Sequence, residues 1–252
     1  GVLKAVRPDG SVKWENNQIG DTHATPTVAA DGTVYVTGRT TGHLFAFNAD
    51  GSLKWKHDTV DSYLESSPVL LSDGSIVFGG ANNSVYAVFP DGKRRWTFSA
   101  PGATAASTTA PVSEGTIAAN ASTGAAAAQV WFRAAPALDN QDRIYVGGMN
   151  GVLHALSPAG DLLWSYGAGG ALYSSPTVTE NGRIYLISGR VEAGDVNRLL
   201  ALDLTGKLLW QKDLGGATLN PSTVAVDAQG RIFVNDNNTL LALDAAGTLL
   251  EA

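Results

Sequence analysis

The chain has 252 residues, 17 Lys+Arg against 23 Asp+Glu, a formal net charge of −6 and no cysteine. Disulfide scaffolds, zinc–thiolate and iron–sulfur sites and cysteine nucleophiles are therefore excluded. An acidic chain with only 16% charged residues also lacks the concentrated Lys and Arg that nucleic-acid phosphates require. A hydrophobic content of 44% argues for a packed core, and no apolar run approaches the ~18–20 residues of a membrane span. The 29 glycines predict many tight turns. Gly1-Val2-Leu3 reads as interior sequence, so the native start is expected upstream, and the lack of cysteine fits an oxidising, extracytoplasmic compartment.

Residues 1–21 hold two short apolar runs around Pro8-Asp9-Gly10, the second ending in Trp14. Residues 22–59 hold four. Thr25-Pro26-Thr27-Val28 is followed by Asp31-Gly32-Thr33-Val34-Tyr35-Val36, and then by two runs flanking Ala49-Asp50-Gly51 that end at Trp55. Residues 60–100 repeat the plan from Ser67-Pro68-Val69-Leu70 to Trp96. Residues 101–132 break it: they are rich in Ala, Ser, Thr and Gly and read as an insertion or a degenerate blade, with Ala110–Ile117 resembling a short hairpin and Gln129-Val130-Trp131-Phe132 a possible strand. The plan resumes over 133–169 (Pro136 to Trp164) and 170–216 (Pro176 to Trp210). Over 217–252, Ser222 takes the Pro slot and Glu251 stands where Trp is expected. Successive Trp positions are 41, 41, 68 and 46 residues apart.

Asp-Gly and Asn-Gly pairs between β-branched and aromatic residues are hairpin signals. Four strands in about 41 residues is the signature of a propeller blade. The prediction is an all-β, single-domain β-propeller of four-stranded antiparallel blades. It has five full repeats plus an N-terminal half blade, as a six-bladed ring or an excerpt of a seven- or eight-bladed one. Naming the runs a to d, the Trp that ends run d is expected to dock between adjacent blades, its indole N–H on a neighbouring carbonyl. That role falls to Trp14, Trp55, Trp96, Trp164 and Trp210.

The unit resembles the pyrroloquinoline-quinone-like propeller repeat. The resemblance rests on the Ser-Pro-Thr-Val opening and on Ala201-Leu202-Asp203-Leu204-Thr205-Gly206-Lys207-Leu208-Leu209-Trp210, which matches that repeat's close nearly residue for residue. It covers almost the whole chain outside residues 97–132. Similar proteins include quinone-dependent dehydrogenases and a non-enzymatic outer-membrane-assembly lipoprotein. The enzymes carry an adjacent cysteine pair over the quinone, a Ca²⁺ held by Glu and Asn, and an Asp base. This chain has no cysteine and no residue that can be matched to the base. Neither a cofactor, a metal nor a catalytic residue is assigned, and the nearer resemblance is to the non-enzymatic relatives.

Nothing else suggests chemistry. His23, His43, His57 and His154 form no ligand pattern, and the Ser-Ser-Pro serines recur with the repeat. Asp139-Asn140-Gln141-Asp142 and Asn235-Asp236-Asn237-Asn238 are oxygen-rich but lack the spacing of a calcium loop. Elaborations concentrate on the d–a and b–c connections, which share one face of an up-and-down blade, and loops on a rigid scaffold commonly bind. The candidate interaction face is Tyr63, Trp131, Tyr173, Arg190, Glu192, Asp195 and Asn197. The expected role is a non-catalytic binding or scaffold propeller, outside the cytoplasm, with a protein partner. A carbohydrate is the alternative, because Tyr63, Trp131, Tyr166 and Tyr173 could stack on sugar rings. A quinone-dependent enzyme is the third reading.

Overall fold

A computed structural model describes residues 1–59, 61, 63–101, 130–189, 197–215, 222–236 and 239–251. Among these residues the fold is all-β, a β-propeller of four-stranded antiparallel blades. Gly1–Ala100 with Gln129–Pro136 form one compact unit, and Ala137–Ala252 make the body of a second.

The first unit opens with a two-stranded sheet, β1 (Leu3–Val6) and β2 (Val12–Asn16). Two four-stranded sheets follow: β3 (Thr27–Val28), β4 (Val34–Gly38), β5 (His43–Phe47), β6 (Leu53–Asp58), then β7 (Val69–Leu70), β8 (Ile76–Gly79), β9 (Ser84–Val88), β10 (Arg94–Ser99). The second unit has three more. They are β11 (Ala137–Leu138), β12 (Ile144–Gly147), β13 (Val152–Leu156), β14 (Leu162–Gly167); β15 (Thr177–Val178), β16 (Arg183–Ser188), β17 (Asn197–Asp203), β18 (Leu208–Leu214); and β19 (Ala225–Val226), β20 (Ile232–Asp236), β21 (Thr239–Leu243), β22 (Leu249–Glu251).

The repeated Ala and Trp have a geometric reason. In five of the six sheets the Ala of run c lies directly opposite the Trp of run d: Ala5 and Trp14, Ala46 and Trp55, Ala87 and Trp96, Ala155 and Trp164, Ala201 and Trp210; in the last, Ala242 faces Glu251. On its other side that Ala faces run b, where Tyr35, Tyr145 and Tyr185 stand. A methyl group between two aromatic strands lets the rings meet over it. Tyr35–Trp55, Tyr145–Trp164 and Tyr185–Trp210 sit 5.7, 5.9 and 6.0 Å apart, a favourable tilted geometry.

The indole then reaches the next sheet. Trp14 Nε1 donates to the Ala49 carbonyl at 3.1 Å, Trp55 to Pro90 at 3.0 Å, Trp164 to Leu204 at 3.0 Å and Trp210 to Ala245 at 3.0 Å. Each acceptor lies two residues before the glycine of the next c–d turn. Gly51 is required there twice over: its φ is +87°, and an added Cβ would sit 2.5 Å from the Trp14 ring. The Asp side chain before it caps the turn, as where Ser52 N donates to Asp50 Oδ1 at 2.9 Å. The two-against-one register between Ala46 and Phe47 is the bulge such a turn leaves.

Hydroxyls at the a-strand entries also link neighbouring sheets. Thr25 N donates to Ser67 Oγ at 2.8 Å, Thr27 Oγ1 to Pro68 O at 2.5 Å and Ser66 Oγ to Ala134 O at 3.0 Å. In the second unit Thr177 Oγ1 donates to Val224 O at 2.6 Å. That bond corrects the reading of the last repeat. Val224, directly before β19 and buried, holds the slot that Pro68 holds, and Ser222 lies two residues short of it. A buried valine supplies the apolar bulk of the proline ring without resembling it in sequence.

Of the inserted stretch, residues 102–129 lie outside the described residues, including the hairpin-like Ala110–Ile117. Val130–Phe132 do not form a strand. Val130 O accepts from Asn83 N at 2.9 Å, and Val130 N donates to Asn83 Oδ1. Asn83 O accepts from Ala100 N at 2.7 Å, so one residue fastens both ends of the excursion. Asn83 has φ 58°, the left-handed conformation that Gly42 and Gly151 adopt at the same turn of other blades. Asparagine tolerates it and adds the side-chain acceptor a glycine lacks.

Candidate functional site

The residues leading into the a strands β7 and β11 alternate between the core and the opposite side of the chain. Leu64 and Ser66 are fully buried, as are Phe132 and Ala134 in the equivalent places, so the residues between them, Glu65 and Arg133, are turned the other way. Both stand three positions before their proline, as does His23 one repeat earlier. Backbone bonds from the b–c turn to the approach of its own blade or of the next fix the register. Arg39 N donates to Asp21 O at 2.7 Å, Leu64 N to Arg39 O at 3.2 Å and Phe132 N to Gly80 O at 2.9 Å.

These elements assemble an ionic cluster in the first unit. The Glu65 side chain is only 6% exposed. Arg39 Nε donates to its Oε1 at 2.9 Å, Arg133 Nε to its Oε2, and His23 Nδ1 lies 3.4 Å from Oε1. Arg39 extends the chain outward, its Nη1 donating to Asp21 Oδ2 at 2.9 Å. That hydrogen bond, aided by the arginine charge, holds the Asp21 carboxyl below its ordinary range. Rings frame the charges. The Arg39 guanidinium lies 4.5 Å over Tyr63, Tyr63 and Trp131 are tilted at 5.6 Å, and Arg133 lies 5.9 Å from the Trp131 ring. The space enclosed by Tyr63, Glu65, Gly80, Trp131, Phe132 and Arg133 has room for about one water.

Beneath the cluster lies a second acidic group. Asp61 is buried, and its Oδ2 accepts the Tyr86 hydroxyl at 2.6 Å. Burial raises the pKa of Asp61, and the same burial, together with the Asp61 bond, raises that of Tyr86. Gly80 is needed beside it, since a Cβ there would fall 2.1 Å from Asp61 Oδ2.

Of the seven residues singled out from the sequence, the structure brings Tyr63 and Trp131 together. Tyr173 is half-buried in the second unit, three residues before Pro176. Asn197 is not a loop residue as expected: it opens β17 opposite Leu214 and is 2% exposed. Arg190, Glu192 and Asp195 lie outside the described residues. The sequence reading missed Asp21, Arg39, Glu65 and Arg133. A usable signal was present, because Arg39 stands where the other repeats have Gly80, Gly148 and Gly189, and Glu65 and Arg133 share one repeat position.

Asn237 and Asn238 of the oxygen-rich stretch 235–238 lie outside the described residues, and the oxygen-rich stretch at Asp139 is spent on its turn. Asp139 Oδ1 accepts from Gln141 N at 2.9 Å and Arg143 N at 3.0 Å, while Oδ2 accepts from Arg143 Nε at 2.6 Å and Tyr145 OH at 3.0 Å. Among the described residues no three His, Asp or Glu side chains form a metal-binding group. His154 is buried, its Nδ1 2.8 Å from Ser165 Oγ, and burial lowers its pKa to about 4.

A family model described as outer membrane protein assembly factor BamB matches residues 1–130 and 113–250. The chain belongs to that family. Its fold also matches the crystal structure of BamB from Moraxella catarrhalis at 17% identity and TM-score 0.70, over 100% of this chain and 66% of that one. A streptogramin B lyase matches at 16% identity and TM-score 0.57, over 83% of this chain and 60% of that one. Virginiamycin B lyase from Staphylococcus aureus matches at 13% identity and TM-score 0.62, over 92% and 71%. At these identities the structural matches show the propeller fold, and the chain spans about two thirds or less of the first two proteins. A search of curated proteins finds no sequence match.

Proposed function

We propose that this chain is a non-catalytic propeller scaffold of the cell envelope that binds a protein partner through the d–a and b–c connections of its first unit. The observation that carries this reading is the Asp21–Arg39–Glu65–Arg133 cluster framed by Tyr63 and Trp131. Arginine and large aromatic residues, held rigid on a scaffold, are the side chains that dominate protein interfaces. The enclosed space suits a water and not a sugar ring or a quinone, and both rings already have partners. These points favour a protein surface over the carbohydrate and quinone alternatives. Membership of a family described as an outer membrane assembly factor supports the envelope setting and a partner that is itself a protein. Trp14, Trp55, Trp164 and Trp210 take the structural role, each docking its sheet on the next c–d turn.

A photo-crosslinking amino acid placed at Ala81, on the rim of the site, tests the proposal in intact envelopes. A discrete protein adduct is expected there and not from Lys93 on a c–d turn. Equal labelling from both positions, or none from Ala81, would count against it.

A further inference from the structure

Among the described residues, Arg133 is the less engaged arginine of the cluster. Arg133 is 38% exposed along its side chain, and its only described polar partner is Glu65, which it contacts through Nε. A guanidinium presents five N–H bonds along a planar fork. Using the Nε edge on a buried carboxylate leaves the Nη1/Nη2 end free and fixes its direction. The Trp131 ring at 5.9 Å limits the remaining motion. Ordering an arginine normally costs side-chain entropy. Here Glu65 has already met that cost, so the outer fork is poised for a planar, bidentate acceptor.

We infer that Arg133 is the recognition residue of the site and that it takes a carboxylate from an Asp or Glu side chain of the protein partner, with Glu65 as its positioning residue. This rests on the protein-binding reading above and adds the chemistry of the partner. The charges support it. Glu65 is buried and paired, Arg39 is held by two carboxylates through Nε and Nη1, and among the described residues Arg133 makes one ionic contact, through Nε, so it is the less engaged of the two arginines. The flanking half-buried Tyr63–Trp131 pair would shield the new ion pair from water, which strengthens it. The absence of room beneath the rings favours a side chain arriving on the surface over a free small anion lodged in a cavity.

The test uses the whole chain and a displayed library of random decapeptides. Selected peptides should be enriched in Asp or Glu, and resynthesis with Asn or Gln should weaken them at least tenfold. Arg133→Gln should cost a similar factor. Arg133→Lys keeps the charge without the fork and should lose most of the affinity, which separates bidentate recognition from simple attraction. Native-like melting and near-UV circular dichroism of both variants exclude unfolding as the cause. Failure to select binders, acid-free binders, equal binding to Arg133→Gln, or Arg133-dependent binding of inorganic phosphate or phosphatidylglycerol vesicles in place of the peptides would each overturn the inference. If adducts from Ala81 persist unchanged in Arg133→Lys, the scaffold reading survives and the carboxylate assignment falls.

Discussion

The coupling between Glu65 and Arg133 can be measured directly. The perturbation is a double-mutant cycle of Glu65→Gln and Arg133→Gln, which keeps side-chain size while removing each charge. Two unit charges about 4 Å apart interact by about 4 kcal/mol at an effective dielectric near 20. Two effects reduce that figure. Glu65 is 6% exposed and has been desolvated, whereas Arg133 at 38% is partly screened by water. A coupling of about 1–2 kcal/mol is expected. Glu65→Gln alone should cost more, about 2–3 kcal/mol, because Arg39 also loses its acceptor within a partly buried site. Arg133→Gln alone should cost less than Glu65→Gln, since His23 and Arg39 still face the buried carboxylate. Urea unfolding of the four proteins at low salt, with equal m-values, yields the cycle. A coupling below about 0.5 kcal/mol would refute the idea that Glu65 orients Arg133, whatever the single-mutant costs.

Three further outcomes follow from the geometry. Gly51→Ala combines a left-handed backbone with a Cβ driven into the Trp14 ring, so it should destabilise by about 2 kcal/mol or more, whereas Gly10→Ala, with the same sign of φ (+84°) and open space, should cost about 1 kcal/mol; equal costs in urea unfolding would mean that the indole yields freely. His154 titrates near 4 when folded and near 6.5 when unfolded, so stability is full above pH 6.5 and falls as the unfolded chain takes up the proton. Between pH 7.5 and 4.5 that loss is about 2.5 kcal/mol, and His154→Gln should remove it from the measured pH dependence. Asn83→Gly keeps the turn conformation and the backbone bond to Val130 but loses the side-chain one, so native chymotrypsin cleavage after Trp131 or Phe132 should become several-fold faster, and an unchanged rate would show that the Asn83 side chain is not the fastener.

How much of this was legible beforehand depends on the range of the interaction. The propeller fold follows from local features: Asp-Gly turns, alternating runs and a Trp at fixed offset from Ala. The Ala–Trp pairing across one hairpin involves residues nine apart, and the period carries it to every copy. Val224 was missed because burial, not identity, is what its slot demands. Asn197 was misplaced because β17 begins earlier than the charged loop before it suggests. The Glu65 cluster was hidden for a different reason. Its partners lie 26 and 68 residues away, and the second distance includes an inserted stretch that departs from the repeat. Only backbone contacts between neighbouring approaches, such as Phe132 N on Gly80 O, bring them into register.

The same logic explains why the site sits where it does. Most positions of the repeat are bound by geometry: Ala must be small, Trp must reach a carbonyl 35 to 40 residues on, and the turn glycine must accept an indole. The position three before the proline slot has no such duty. Buried neighbours on both sides fix its direction, yet its own side chain leaves the core. In this chain it holds His23, Glu65, Arg133 and Tyr173 in successive repeats, four different chemistries where the flanking sequence hardly changes. Where this position carries no buried ion pair of its own, a rigid frame can alter its binding chemistry there by a single substitution without disturbing the docking of its blades. On that argument Arg133→Gln should weaken recognition at least tenfold while leaving the melting temperature within a few degrees of the parent protein, and a matched loss of both would place Arg133 in the frame instead.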